Sequence, residues 1–489
     1  MIQHLPVLSV VFVLITAYLL PLVKPRYKIV GQVVTILILI GTAIASIYFI
    51  TVTATGEVII YELGNWPAPI GITIAITPLT AIIMLLVSVV TLLVYFYRLS
   101  DPTAPQGQAG SWYDALLMLL VAGVFGITQC NDLFNLFVFI EICTLSACAL
   151  VAAGKGGKAS IAAFKYLMLC TVASGFVMFA IGLLYFITGY LTFAYVHDAL
   201  QAVWHSYPHV VYLSAILFIV GMGIKSALFP LHVWLPDAHS SAPTTSSALL
   251  SGIAVKAYLI GLFKVFYLVF GRELLQALGI ANMLVIFGVA GVIGGSLFAL
   301  VQKEVKRMLA YSTVAQLGYI FIGLGLDNSI GVAAAIFQII SHACMKSTMF
   351  VIAGHFAHQG KDKVSDYAGV GKEEPVLFTA FTICALSMIG LPLFSGFITK
   401  WMLFRAALDA QHMGILIFIV ISGLLNAGYF LPLVWNGWFG GQPGGYAKPR
   451  VKFSQALPIV MSVVVLWLGI APAPLLQFLD TAANLMLRW

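Results

Sequence analysis

Long apolar runs govern what this chain can become. About fourteen reach membrane-spanning length, near 5–23, 29–50, 70–97, 112–130, 132–153, 160–189, 210–231, 243–270, 280–300, 305–326, 328–357, 375–408, 412–439 and 453–478. A helix crossing a bilayer needs roughly 20 predominantly apolar residues. In hydrocarbon every backbone N–H and C=O must be satisfied internally, so only helices and closed barrels cross. The runs are continuous, whereas barrel strands alternate apolar and polar residues. An all-α polytopic membrane protein follows. Only 8% of residues are charged, against about 25% in soluble domains. The formal charge of +7 does not indicate nucleic-acid binding, because the basic residues sit in short loops between spans. The first run lacks a preceding basic region and a small-residue cleavage site, and is expected to be a retained helix.

No stretch between the runs is suited to a soluble domain. Residues 51–69, with Glu57, Glu62, Gly64, Pro67 and Pro69, form a loop that can hold a short hairpin. Residues 98–111 are a polar linker, 358–374 the most highly charged loop, and 440–452 a flexible link. One transmembrane domain therefore covers 1–489: three N-terminal helices in 1–97, five in 112–270, five in 280–439 and a last helix in 453–478. Loops between odd and even spans hold fifteen of the 24 Lys and Arg residues, whereas the opposite side holds only Arg272 and Arg488. Positive loops stay cytoplasmic, so both termini are expected outside the inner (plasma) membrane of a prokaryote.

Seven cations remain within spans: Lys165, Lys225, Lys256, Lys264, Lys346, Lys400 and Arg405. Lys165 and Lys264, nearer helix ends, can reach towards headgroups. Nearly all acids lie in loops or at their edges. Glu141, near the middle of the fifth run, is the clear exception. Intramembrane ionisable residues are costly and mark ion paths or substrate sites. Two of these lysines adjoin breaks. Pro230 and Pro236 follow Lys225, and Gly390, Pro392 and Gly396 precede Lys400. Proline removes a donor and clashes with the preceding turn, and transporters place their sites at such discontinuous helices. The two broken spans, seventh and twelfth, lie five helices apart. This suggests two inverted five-helix repeats, helices 4–8 and 9–13.

One buried acid beside several buried amines implies an electrostatic device. Apolar burial favours a neutral amine, and a nearby carboxylate favours the charged one. If Glu141 pairs with Lys225, that lysine stays charged; if the partner moves, the proton can leave. A row of Glu141, Lys225, Lys256, His342 or Lys346, then Lys400 could pass protons along the midplane through water, imidazole and hydroxyl groups. Asp237 and His239 are expected to cap and line a cytoplasmic half-channel. The breaks near Lys400 should leave backbone groups for water. No metal or cofactor is expected. Cys130, Cys143, Cys148, Cys170, Cys344 and Cys384 contain no CxxC and read as small core residues. His232, Asp237 and His239 match no standard ligand spacing.

The run KSALFPLHVWLPDAHSSAPTTSSALLSGIAVK (225–256) resembles the signature of antiporter-like subunits shared by complex I, membrane-bound hydrogenases and Mrp-type Na+/H+ antiporters. So do KRMLAYSTVAQLGY (306–319), HACMKSTMFVIAG (342–354), GLPLFSGFITKW (390–401) and the segment around Glu141. The resemblance implies fourteen helices with two inverted five-helix repeats. It assigns the fifth-helix glutamate to Glu141, and the seventh-, eighth- and twelfth-helix lysines to Lys225, Lys256 and Lys400. Within the family the chain most resembles the D-type subunit of Mrp antiporters, on three features. YELGNWPAPIGI (61–72) resembles its loop before the third helix, Lys400 stands where the M-type tends to have glutamate, and the L-type lateral helix is missing. Gln338 stands one turn before His342, where L-type subunits have a second histidine, which shifts weight to Lys346.

Two functions are compatible with these residues. One is the proton-translocating subunit of a multi-subunit Na+/H+ antiporter, coupled to sodium export. The other is a proton-pumping subunit of a redox complex, a complex I-like NADH:quinone oxidoreductase or a membrane-bound hydrogenase, with no redox centre on this chain. Sodium prefers oxygen ligands and the membrane here is poor in acids, so protons are assigned to this subunit and the sodium path to, or shared with, a partner. A charged row running sideways implies flanking subunits against its faces.

Overall fold

The computed structural model describes residues 2–23, 25–101, 104–441 and 455–488. Among these, twelve helices are long and apolar enough to cross a membrane. We label the helices that matter here α1 (Leu5–Leu19), α2 (Lys28–Thr53), α3 (Pro78–Ser100), α4 (Gly107–Gln129), α5 (Leu133–Ala152), α6 (Gly157–Thr188) and α7 (Pro208–Lys225). Then come α8 (Thr244–Phe270), α9 (Ile280–Leu300), α10 (Val305–Gly325), α11 (Ser329–His358), α12 (Pro375–Ile389), α13 (Ser395–Asp409) and α14 (Met413–Phe439). The last two are α15 (Ala456–Ile470) and α16 (Ala473–Met486), bent against each other by 80°. The fold is an all-α polytopic membrane fold, and α8, α10 and α11 form its core. The most apolar windows of these three are 94%, 94% and 100% buried, against 33–44% for α1, α2, α6, α9 and α14. Core helices can therefore carry polar residues that lipid-facing helices cannot.

Several expected boundaries move. The third span does not begin at 70. Thr73–Ile76 is a strand (β2), paired antiparallel with Ile59–Glu62 (β1), and α3 starts only at Pro78, where the Thr77 hydroxyl accepts the Thr80 N–H. The apolar, β-branched TIAI segment reads as a helix start by hydropathy alone, but the pairing with β1 decides it. The polar linker over 98–111 shortens to 101–106, because α3 continues to Ser100 and α4 starts at Gly107. The twelfth span is two short helices, α12 and α13, and the last one folds back after Ile470. The link expected over 440–452 falls almost wholly outside the described residues.

The basic loops and the acidic hinges sort to opposite ends. Lys155 and Lys158 (before and at the start of α6), Glu304 and Lys306 (at the start of α10) and Asp362 (after α11) line one cavity. Arg272, Asp327, Asp409 and His412 line another, at the α8–α9, α10–α11 and α13–α14 connections. Arg98, counted with the loops, is a buried exception. It is 3% exposed and pairs with Asp114 at 2.7 Å, and it donates to the carbonyls of Pro105 and Gly110.

Candidate functional site

The first break shows how a helix can stop inside apolar surroundings. After Lys225 the chain leaves the α-helix, and the freed carbonyls find donors. Ile224 O accepts the Trp234 indole N–H at 2.7 Å and the Ala227 N–H at 3.2 Å, and Gly223 O accepts the Leu228 N–H at 2.8 Å. Trp234 is itself stacked on Tyr166 of α6, centroids 3.9 Å apart. Pro236 does not interrupt a helix as expected. It occupies the first turn of a new one, Leu235–Ser241, where a missing N–H is harmless.

Lys225 is fully buried. Its Nζ donates to Glu141 Oε1 at 3.1 Å, Thr144 Oγ1 at 3.0 Å and Ser174 Oγ at 2.9 Å. Ser174 Oγ in turn donates to Glu141 Oε1 at 2.5 Å. All three ammonium protons thus have oxygen partners, two of them neutral hydroxyls. The carboxylate side chain is 27% exposed, so Glu141 opens onto the lateral surface of the subunit. Thr144 shares a hydrogen bond with the Tyr258 hydroxyl at 3.1 Å, which carries the network into α8.

Lys256 follows a π-helical turn at Leu250–Ala254. Such turns leave carbonyls out of the regular ladder and are frequent at functional sites. Lys256 Nζ donates to a carbonyl within this turn, Ser251 O. Ser251 Oγ shares a 3.0 Å hydrogen bond with Thr313 Oγ1 on α10. The adjacent Ser312 accepts from Lys346 Nζ, which also donates to Leu309 O at 2.8 Å. Thr313 Oγ1 also donates to Leu309 O at 3.0 Å, so Ser251, beside Lys256, and Lys346 converge on the same turn of α10. His342, one turn before Lys346, is fully buried, and neither ring nitrogen has a hydrogen-bond partner among the described residues.

His239 is a correction. It does not line the expected half-channel. Its ring is 0% exposed and stacked on Phe350 at 4.5 Å, within electrostatic range of Lys346 and Lys256. Its neighbour Asp237 does face the cavity on the basic side. Asp237 caps no helix; it bridges Lys165 of α6 at 3.2 Å and Arg307 of α10 at 3.0 Å.

At the second break several of the freed backbone groups find side-chain partners. Ile389 O accepts from Lys400 Nζ at 2.5 Å, and Met388 O accepts from Asn426 Nδ2 at 3.1 Å. Ser387 Oγ accepts the Gly396 N–H at 3.0 Å. Side chains thus take up part of the break. Lys400 Nζ lies 5.4 Å from the Tyr319 ring centroid. Between His342 and this break run two polar threads. One is Gln338 to Gln316 at 2.7 Å, with Gln316 3.4 Å from Met388 O. The other is Ser341 to Ser395 at 2.6 Å and on to Ser387 at 3.2 Å. A Cβ at Gly396 would sit 1.9 Å from Ser387 O. Gly396→Ala is therefore expected to push α12 and α13 apart and to lower the yield of assembled protein severalfold, measured by blue-native gel of the solubilised membranes; unchanged assembly would contradict this packing.

Lys264 does not reach for headgroups. It is 5% exposed and donates to Thr128 O at 2.8 Å and to Cys130 O, capping the C-terminal end of α4, where a cation suits the helix dipole. Lys165, 57% exposed, remains at the surface. All six cysteines are buried and free. The described residues contain no group of three or more metal-ligating side chains. Gln316, Ser251, Ser312, Thr313, Ser341 and Ser395 were not anticipated. The available signal was the density of hydroxyl and amide residues in α10 and α11, helices too polar to face lipid.

A polytopic helical fold with an internal row of amines, and one carboxylate at its edge, defines an ion-conducting membrane subunit. Residues 130–426 match the family described as NADH:quinone oxidoreductase/Mrp antiporter, transmembrane. The N-type subunit of NADH-quinone oxidoreductase from Desulforudis audaxviator is 37% identical, over 96% of this chain and 95% of its own. The D-type subunit of the Na(+)/H(+) antiporter from Alkalihalophilus pseudofirmus is 27% identical, over 93% and 91%. A chain in the archaeal membrane-bound sulfane sulfur reductase, a respiratory membrane complex, superposes with a TM-score of 0.90 at 28% identity, over 99% and 98%. The chain belongs to the NADH:quinone oxidoreductase/Mrp antiporter family. It is an antiporter-like, proton-translocating membrane subunit of the kind found in Mrp and complex I-like assemblies.

Proposed function

We propose that protons move sideways through this subunit along Glu141, Lys225, Lys256, Lys346 and Lys400, with His342 between the last two. The observation that carries the proposal is the connectivity. Lys225 leads through Thr144 to Tyr258 on α8, Lys256 meets Ser251, whose hydroxyl reaches Thr313 on α10, Lys346 meets the adjacent Ser312, and Lys400 meets Ile389 O; water is assigned the gaps between these contacts. The imidazole of His342 is open to water bridging. Helices 4–8 and 9–13 of the fourteen-span count act as two repeats, each contributing one broken span and its lysine. Asp237 holds the basic-side mouth between Lys165 and Arg307.

The host assembly is redox-driven in this reading, supported by the higher identity to the N-type relative than to the D-type one. Sodium export through an Mrp-type complex is the second reading, supported by the D-type antiporter relative and by the YELGNWPAPIGI stretch. Inverted membrane vesicles separate them. Acidification of the lumen on adding an electron donor, blocked by Lys225→Ala, is the expected result. Sodium-dependent proton release without a donor, lost in the same variant, would overturn the redox reading in favour of antiport.

The protein lies in the plasma membrane with both termini outside, as its basic loops dictate. A C-terminal alkaline phosphatase fusion should be active and a C-terminal fluorescent-protein fusion dark. The opposite pattern would reverse the orientation and the side assigned to Asp237.

A further inference from the structure

We infer that the cavity between the α5–α6 turn and the start of α10 binds a phosphate-bearing anion. The cavity measures about 500 Å³. Five cations line it, Lys155, Lys158, Lys165, Lys306 and Arg307, against three carboxylates, Asp237, Glu304 and Asp362. Asp237 alone serves both Lys165 and Arg307, so two positive charges remain in excess in a partly enclosed space.

The helix geometry adds to the excess. Lys158 is the second residue of α6, and Lys306 and Arg307 are the second and third of α10. The α6 N-terminus has no acid in its first turn and no side-chain cap, and α10, whose N-cap residue is Glu304, has no side-chain cap hydrogen bond. Cations at helix N-termini oppose the macrodipole, and anions complement it. An anion in this cavity would satisfy the cations and both helix ends together. Phosphate suits a site built from several ammonium donors and one guanidinium. The exposed Ile161 on the same wall gives the site an apolar shoulder facing the lipid side. Basic pockets between transmembrane helices are suited to lipid headgroups in this way. The lipid phosphate and free inorganic phosphate share the chemistry, and the test distinguishes them.

The intact membrane complex, carrying Lys155→Ser and Lys158→Ser, is purified in detergent beside the wild type. Both are titrated with phosphatidylglycerol, and with phosphatidylcholine as control, and weighed by native mass spectrometry. The wild type is expected to retain one phosphatidylglycerol more than the variant, with affinity falling about fivefold per lysine removed. Lys155→Arg with Lys158→Arg keeps the charge and should retain lipid as the wild type does, which separates charge from misfolding. In a second arm, millimolar inorganic phosphate competes. Retention that resists phosphate assigns the site to a lipid headgroup, and displacement by phosphate assigns it to the free anion. Equal phosphatidylglycerol binding by wild type and serine variant, with no effect of phosphate, overturns the inference, and so does loss of binding in the arginine variant.

Discussion

Glu141→Ala and Lys225→Ala are each expected to abolish proton translocation while the complex still assembles. Glu141 accepts from Lys225 Nζ at 3.1 Å and from Ser174 at 2.5 Å. Removing the carboxylate leaves Lys225, 0% exposed, with only the Thr144 and Ser174 hydroxyls. Stranding a buried charge costs about 3–5 kcal/mol, so this lysine would shed its proton permanently and could no longer cycle. Lys225→Ala removes the carrier itself. The two losses should not be equal in stability. Glu141 is 27% exposed and leaves a site that solvent or a neighbouring chain can reach, whereas Lys225→Ala opens a buried cavity. Glu141→Asp keeps the charge with a shorter reach and should retain part of the activity. Acid quenching of a pH-sensitive dye in inverted vesicles measures all three, with a native gel reporting assembly. Full translocation in Glu141→Ala would remove the ion pair from the mechanism.

The second large effect is expected at Lys400. No described carboxylate pairs with it; its partners are Ile389 O and the Tyr319 ring. A buried amine without a counter-charge can release a proton, because apolar surroundings favour the neutral form. Arginine holds its proton at any working pH. Lys400→Arg therefore preserves the positive charge and removes the exchange, and Lys400→Ala removes both. Both should stop translocation. Lys400→Arg also tests sterics, since Gly390 is close enough that a Cβ there would meet Lys400 Cδ at 2.7 Å. Assembly of the arginine variant must accordingly be measured beside its transport.

Much of this site could be read from the sequence, for a physical reason. A charge inside an apolar run is rare, so Glu141, Lys225, Lys256, Lys346 and Lys400 stand out individually. Proline and glycine beside Lys225 and Lys400 marked both breaks. What links these groups did not stand out. Ser251, Ser312, Thr313 and Ser395 are ordinary residues in helices, and their role depends on which face meets a neighbour, which no local pattern fixes. His239 was misplaced for the same reason. It lies two residues from Asp237, and two residues along a helix rotate a side chain by about 200°, enough to turn it from the cavity to the core. The strand Thr73–Ile76 was hidden because apolar β-branched residues suit a span as well as a hairpin. The partial closing of the second break by Asn426 and Ser387 depends on contacts far apart in the chain.

The central claim is that protons pass through titrating amines along one lateral row, and do not merely feel a fixed positive field. Initial rates of lumen acidification in inverted vesicles, compared between wild type and fully assembled Lys400→Arg, test it most directly. The row predicts a rate indistinguishable from vesicles lacking the complex, because the last amine cannot give up its proton. Acidification at the wild-type rate would show that Lys400 is an electrostatic fixture and that the proton leaves by another route.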